Sequence, residues 1–395
     1  MISFDEALAL VTDCARALPS ESVSLALADG RVLATPIIAQ RSTPIADVSA
    51  MDGYAVRAQD LAHLPARLDV IGEAFAGQPF SGALPPGSCV RIFTGAIAPL
   101  GTDRVIIQED VQRDGPVALF ATAPSGPVNL RRAGSDFTTG EVLVEAGGRL
   151  NAQQMVAAAA ADLAQVCVVA RPRVLIIATG DELDAPGHPS QDRPGLPESV
   201  SFGVASLVRT WGGDVVDRWR LGDDLAALQA AARSAIGLAD MVVVTGGASV
   251  GERDFAKAMF APLDLGLIFS KVAIKPGKPV WLGRASSTLV IGLPGNPTSA
   301  LVTARLFLAP LIAGMAGLEP SAAAEWTPMQ LTAPLGPCGD RETFVRGRRF
   351  GAGVEPIGDQ DASAQKALAA STILIRRCPG DAAISSGAMV ETLPF

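Results

Sequence analysis

The chain has 395 residues, 32 basic against 40 acidic side chains and a net charge of −8, which argues against a generic nucleic-acid surface. Hydrophobic residues make up 49% of it, yet no uninterrupted apolar run approaches the length that spans a bilayer. With only two histidines (His63, His188) and five scattered cysteines (Cys14, Cys89, Cys167, Cys338, Cys378), never paired as CxxC, zinc sites and Ser–His–Asp catalysis are disfavoured.

That cysteine usage fits reduced thiols in the cytoplasm, most of them core fillers. Chemistry must then rest on carboxylates, lysines, arginines and backbone amides. At this length two to four domains are expected. The first residues, MISFDEALALVTDC, carry acids early and read as an amphipathic helix over 4–17, not a signal peptide. Short strands follow around 23–27 and 31–33. From Val48 to about Phe120 come brief β-type runs (GYAVRA, RLDVIGEA, SCVRIF, DRVIIQED, VALFA) punctuated by Gly and Pro, which predict a β-rich domain over 48–122. Residues 1–47 and 123–170 are assigned to an elongated linking domain that contains an alanine-rich helix over 151–164.

Beyond Arg171 the apolar runs RVLIIATG, DVVDRWRL, MVVVTGG and TLVIGLPG alternate with helical stretches at 203–211, 223–236 and 254–260. Buried strands alternating with helices predict a doubly wound parallel sheet over 171–316, ending in a helix from Pro297 to about Met315. Residues 317–326 read as a linker. The runs FVRGRRF, TILIRR and AMVETLPF place a small C-terminal β domain over 317–395. The fold class is multidomain α/β.

Every Gly-rich turn of the α/β domain comes directly after a strand, where open sheets bind ligands. Thr179, Gly180 and Asp181 follow the first strand, Gly246 and Gly247 the third, and Gly295 and Asn296 the last. In LPGNPTSA, Asn296 suits an N-cap and Pro297 the first helical position, which leaves Thr298 and Ser299 in the first turn without a structural role. Acids gather on the same crest: Asp181 and Glu182, Asp223 and Asp224, Glu252 and Asp254. Each alone could be a cap. Together, with lysines nearby, they suggest Mg²⁺ beside a phosphate. Three of the five lysines, Lys271, Lys275 and Lys278, fall in KVAIKPGKP; the bland reading is a charge-blunted edge strand, the sharper one an oxyanion site. In the N-terminal half, SAMDGYAV holds the one tyrosine, Tyr54. VNLRRAGSDF places Arg131 and Arg132 near Asp136, by itself a surface ion pair worth little.

In order along the chain, SAMDGYAV, RIFTGA, NLRRAGSD, ATGDEL, TGGASVGERD, KVAIKPGKP and LPGNPTSA closely resemble the molybdopterin molybdenumtransferase family (MoeA, and the E domain of gephyrin). The resemblance covers about residues 40–315 and is looser at the ends. It implies a MogA-like molybdopterin-binding α/β domain within an L-shaped subunit that forms a cytoplasmic homodimer. The implied reaction joins molybdate to adenylated molybdopterin with Mg²⁺ present and releases AMP. Implied partners are molybdopterin adenylyltransferase and acceptor molybdoenzymes, with neither nucleic acid nor membrane. By similarity Glu182, Asp223 and Asp254 would hold Mg²⁺ or orient the adenylyl phosphate. Lys271, Lys275 and Lys278 would offset phosphate and molybdate charge. Ser249, Pro276, Ser299 and Arg346 would line the molybdate pocket, while Asp52, Thr94, Arg132 and Asp136 would reach in from the other subunit.

Two departures stand out. Val200, in PESVSFGVA, occupies a place where the family pattern suggests Asn, so a nucleotide or pterin contact is expected to be missing. The 359–367 segment lacks much of a serine-rich pattern, which leaves Ser363 a weak oxyanion candidate. An adenylyltransferase would share the α/β domain but not the SAMDGYAV half or the C-terminal β domain. A gephyrin-type scaffold would have no need of the acids and lysines.

Overall fold

The computed structural model describes residues 1–124, 126–246 and 255–395. Strand Arg173–Thr179 is central because nothing in it after Arg173 tolerates water: all six remaining residues are buried. Its alternation sends Val174 and Ile176 to one core, with Val204, Val208 and Ile312. Leu175 and Ile177 go to the other core, with Leu228, Ala232 and Trp281. Helices cover both faces, which is why the run is apolar throughout.

The sheet order is 214–221, 173–179, 241–245, 288–293, all parallel, then 281–285 and 266–269 antiparallel. From the central strand the chain moves outward through helix Val200–Thr210, then returns through helix Leu225–Leu238 to the opposite side. That reversal is a topological switch point between Thr179 and Thr245.

A second six-stranded sheet contains Gly53–Val56, Ala66–Ala74, Ser88–Ile92, Arg104–Ile107, Val111–Asp114 and Val117–Phe120. Pairing of Ser20–Ser24 with Gln165–Val169 closes a separate core around Leu33, Ile37, Leu150 and Val168. Its helix Ala152–Ala160 starts at Asn151, which exchanges a capping box with Gln154. The first helix, Phe4–Cys14, joins the α/β unit to the C-terminal one: Phe4 meets Phe307 at 5.8 Å and Phe344 at 5.0 Å. Arg376 stacks on Phe4 and Trp326 and pairs with Asp5 and Glu342.

Several expectations need correction. Arg31–Leu33 forms no strand, only isolated bridges at Val32 and Leu33. The helix expected from 203 begins at Val200, and the one expected from 223 begins after its cap, Asp224, whose Oδ1 accepts the Ala227 N–H. The 317–326 segment is no loose linker. It contains a 3-10 turn, Pro320–Ala324, with Ala323 buried and its carbonyl held by the Arg305 guanidinium. The helix from Pro297 to Met315 is apolar enough to cross a membrane, but 94% of that stretch is buried inside the protein. It widens into a π turn at Ala304–Leu308, ahead of Pro310, which cannot donate a backbone hydrogen bond. Of the cysteines only Cys89 is fully buried, which pushes its thiol up to about 12; Cys378 is exposed.

Candidate active site

At the switch point the three strand-end turns converge. Thr179 Oγ1 donates to the Thr245 carbonyl at 3.4 Å. Gly246 sits at φ +92° with its Cα facing the Thr179 carbonyl, where a Cβ would overlap the oxygen. Gly295 lies next to Gly246, a Cβ there falling 3.5 Å from the Gly246 Cα, an ordinary contact. Only glycine satisfies both the backbone angle and the spacing at 246. Beyond these turns opens a cleft of about 630 Å³.

Thr179, Gly180, Glu182, Asp223, Gly246, Gly295 and Asn296 all line it, as the sequence suggests. Gly247, Ser249 and Asp254 lie outside the described residues. Glu182 is exposed, and its carboxylate bonds to no described residue. Asp181 acts on the backbone instead. Its Oδ1 accepts the Asp223 N–H at 3.0 Å and fixes the turn that presents Asp223. Asn296 occupies the N-cap position but makes no side-chain capping bond, which leaves its amide facing the cleft.

Sequence reasoning missed the wall formed by Leu196, Pro197, Glu198 and Ser199. Glu198 is 6% exposed, and its carboxylate accepts the Ser201 N–H at 2.8 Å and the Ser201 hydroxyl at 2.6 Å. An acid three residues before a serine at a helix start is the local signal that could have found it. Val200 does reach the cleft, as a buried apolar side chain. Ser363 and Gln365 close the opposite side from the C-terminal unit. Ser363 donates both its N–H (2.8 Å) and its hydroxyl (2.6 Å) to Asp361. The described lining thus holds three carboxylates and no basic side chain.

The lysines sit apart from that lining. Residues Ile274–Lys275 add a parallel strand to the C-terminal sheet, against Glu342 and Thr343. Lys275 borders a smaller cleft of about 280 Å³ with Arg341, Thr343 and Gln360. Lys271 is half-buried and accepts the Ile2 N–H through its carbonyl; Lys278 is exposed, one residue before Pro279, which does line the main cleft. None of the three ion-pairs with a described acid. Pro276 is half-buried beside them. Arg346, 1% exposed, sends its guanidinium to Thr298 Oγ1 (3.1 Å) and to the carbonyls of Asp359 (3.0 Å), Asp361 (2.9 Å) and Ala364 (3.4 Å). Thr298 and Ser299 are buried, so the first helical turn is packed against this loop.

Residues 2–161 match the MoeA N-terminal region (domain I and II), and residues 175–314 match the probable molybdopterin binding domain. The molybdopterin molybdenumtransferase of Haemophilus influenzae is 40% identical over 300 residues, 75% of this chain and 73% of that one. The chain belongs to the molybdopterin molybdenumtransferase family. A second member, from Synechococcus elongatus, is 32% identical over 99% of both chains. The molybdopterin biosynthesis MoeA protein of Pyrococcus horikosii superimposes with a TM-score of 0.87 at 27% identity, over 100% of this chain and 99% of that one.

The β-rich unit lies well before the α/β sheet in sequence, and no residue from 48–122 lines the main cleft. There Asp52 accepts the Thr94 N–H at 2.8 Å and the Thr94 hydroxyl at 2.7 Å. These bonds, backbone first, hold its carboxyl below the usual carboxylate range, so it is a charged acceptor at neutral pH. Arg132 pairs with Asp47, not with Asp136, because the Ala133 N–H also turns onto Asp47. Asp136 is exposed.

Proposed function

We propose that this member of the molybdopterin molybdenumtransferase family inserts molybdate into adenylated molybdopterin and releases AMP, and that it does so as a homodimer. The observation that carries the reading is the main cleft: it lies at the switch point of a parallel sheet and is lined by Glu182, Glu198 and Asp223 with no described cation. A phosphate would be repelled from such a wall unless a cation stood between them. Glu182 and Asp223, from two different turns, fit Mg²⁺, which favours one or two carboxylates plus substrate phosphates and keeps several waters. Among the described residues no three acids, histidines or cysteines are grouped to hold a metal ion, in this cleft or elsewhere, so the assignment rests on two carboxylates. Bound there, the ion would neutralise charge on the leaving adenylyl phosphate. Asp254 is assigned to the same group.

The chain's own residues then bind and orient. Gly246 and Gly295 let the backbone approach the phosphates, and Asn296 offers an amide that bonds to no described residue. Lys275 and Lys278 supply positive charge on the molybdate side, with Ser249, Pro276 and Ser299. Asp52, Thr94, Arg132 and Asp136 enter from the partner subunit, which accounts for the absence of any 48–122 residue from the lining. Exposed Met51 and Leu100 on that unit, with exposed Ile45 and Val128 just outside its ends, support a covering partner. Five free cysteines support a reducing, cytoplasmic setting.

An assay with purified protein, Mg²⁺, adenylated molybdopterin and molybdate, with AMP as the readout, tests this. Release that depends on molybdate is expected. Release indifferent to molybdate, with ATP consumed when ATP and molybdopterin are supplied instead, would point to an adenylyltransferase.

A further inference from the structure

The β-rich unit contains an ordered column of side chains that molybdate insertion, as proposed, leaves unused. Tyr54, 5% exposed, is wedged edge-on against Phe120 at 6.2 Å. The Arg91 guanidinium lies over the Tyr54 ring at 5.1 Å and over the Phe93 ring at 4.7 Å. It is fixed there by donating to the Gly53 carbonyl at 3.0 Å and to Gln108 Oε1. Phe93 in turn stacks on Phe75, centroids 4.5 Å apart and planes 10° from parallel. Phe75 is 40% exposed.

A lone exposed phenylalanine needs no explanation. This one differs in being held. A cation clamps Phe93 from behind, and Phe75 begins a tight turn in which Phe75 and Gln78 exchange both backbone hydrogen bonds, at 3.0 and 2.9 Å. The outer ring is thereby set in one plane before any ligand arrives, which lowers the entropic cost of stacking another ring on it. The inner members of the column adjoin Asp52 along the chain. Gly53, which anchors Arg91, follows Asp52; Phe93 precedes Thr94, which binds the Asp52 carboxylate.

We propose that Phe75 is a stacking plate for a planar heteroaromatic ring of the substrate, presented beside Asp52 at the mouth of the partner's cleft. This rests on the reading that Asp52 serves the partner's cleft. Adenylated molybdopterin carries two such rings, the pterin and the adenine, and the plate's chemistry suits either. Face-to-face stacking on a fixed aromatic ring is a positioning contact, so it acts on substrate affinity and not on the bond that breaks.

Full-length Phe75→Ala and Phe75→Trp proteins test this. For the alanine variant the KM for adenylated molybdopterin rises about tenfold, with kcat and melting temperature unchanged. The tryptophan variant restores KM. Separate titrations with AMP and with a fluorescent oxidised pterin identify the ring, since only one should weaken in Phe75→Ala. An unchanged KM with both titrations intact overturns the proposal. So does a loss of dimer or of melting temperature that accompanies the KM change and is not rescued by tryptophan, because Phe75 would then be structural. If the wild-type protein released no AMP, the functional reading would fail, while the two titrations would still decide whether Phe75 stacks a ring.

Discussion

Replacing Glu182 with glutamine is expected to lower molybdate-dependent AMP release by roughly 10²- to 10³-fold, the range seen when one preorganised electrostatic contact to developing charge is removed. The same variant should melt as the wild type does. Glu182 is exposed and its carboxylate bonds to no described residue, so the fold loses nothing when its charge is removed. Substitution of Asp181 should behave differently. Its carboxylate holds the Asp223 backbone, and its loss would loosen the turn instead of removing a cleft charge. Raising Mg²⁺ should recover part of the Glu182→Gln activity if the carboxylate helps hold the ion. An Asp181 variant should recover little.

The second large effect concerns stability. Arg346→Ala deletes a buried guanidinium that bonds to Thr298 and to three carbonyls of the 359–364 loop. Those carbonyls would lose their charged donor in a partly buried site, and Thr298 its buried partner, a loss of about 3 kcal/mol. Lysine cannot replace the planar fork and should rescue poorly. Because Ser363 and Gln365 line the cleft from within and just beyond this loop, activity should fall along with stability. Thermal unfolding and AMP release measured together check the point. Wild-type melting with only a raised molybdate requirement would instead place the Arg346 guanidinium on the anion.

The cleft was legible from the sequence to the extent that it is local. Glycines and acids directly after apolar strand runs pointed to Gly180, Glu182, Asp223, Gly246 and Gly295, since a parallel strand's carboxyl end is defined by its own few residues. What the neighbours would do with a side chain was not legible. Arg346 is committed by a loop more than ten residues downstream, and Lys275 by a strand of the C-terminal sheet. Asn296 had the residue type for a cap yet makes no capping bond, because the Thr298 N–H is taken by the Ala362 carbonyl. Glu198 hid because it serves a helix start three residues earlier than periodicity suggested.

The most direct measurement of a cleft shared between subunits mixes two inactive proteins, Glu182→Gln and Asp52→Asn, under conditions that exchange protomers. If the α/β unit of one subunit works with the β-rich unit of its partner, each mixed dimer regains one intact site, and about a quarter of wild-type AMP release returns. Mixed dimers that form and stay inactive would contradict the account.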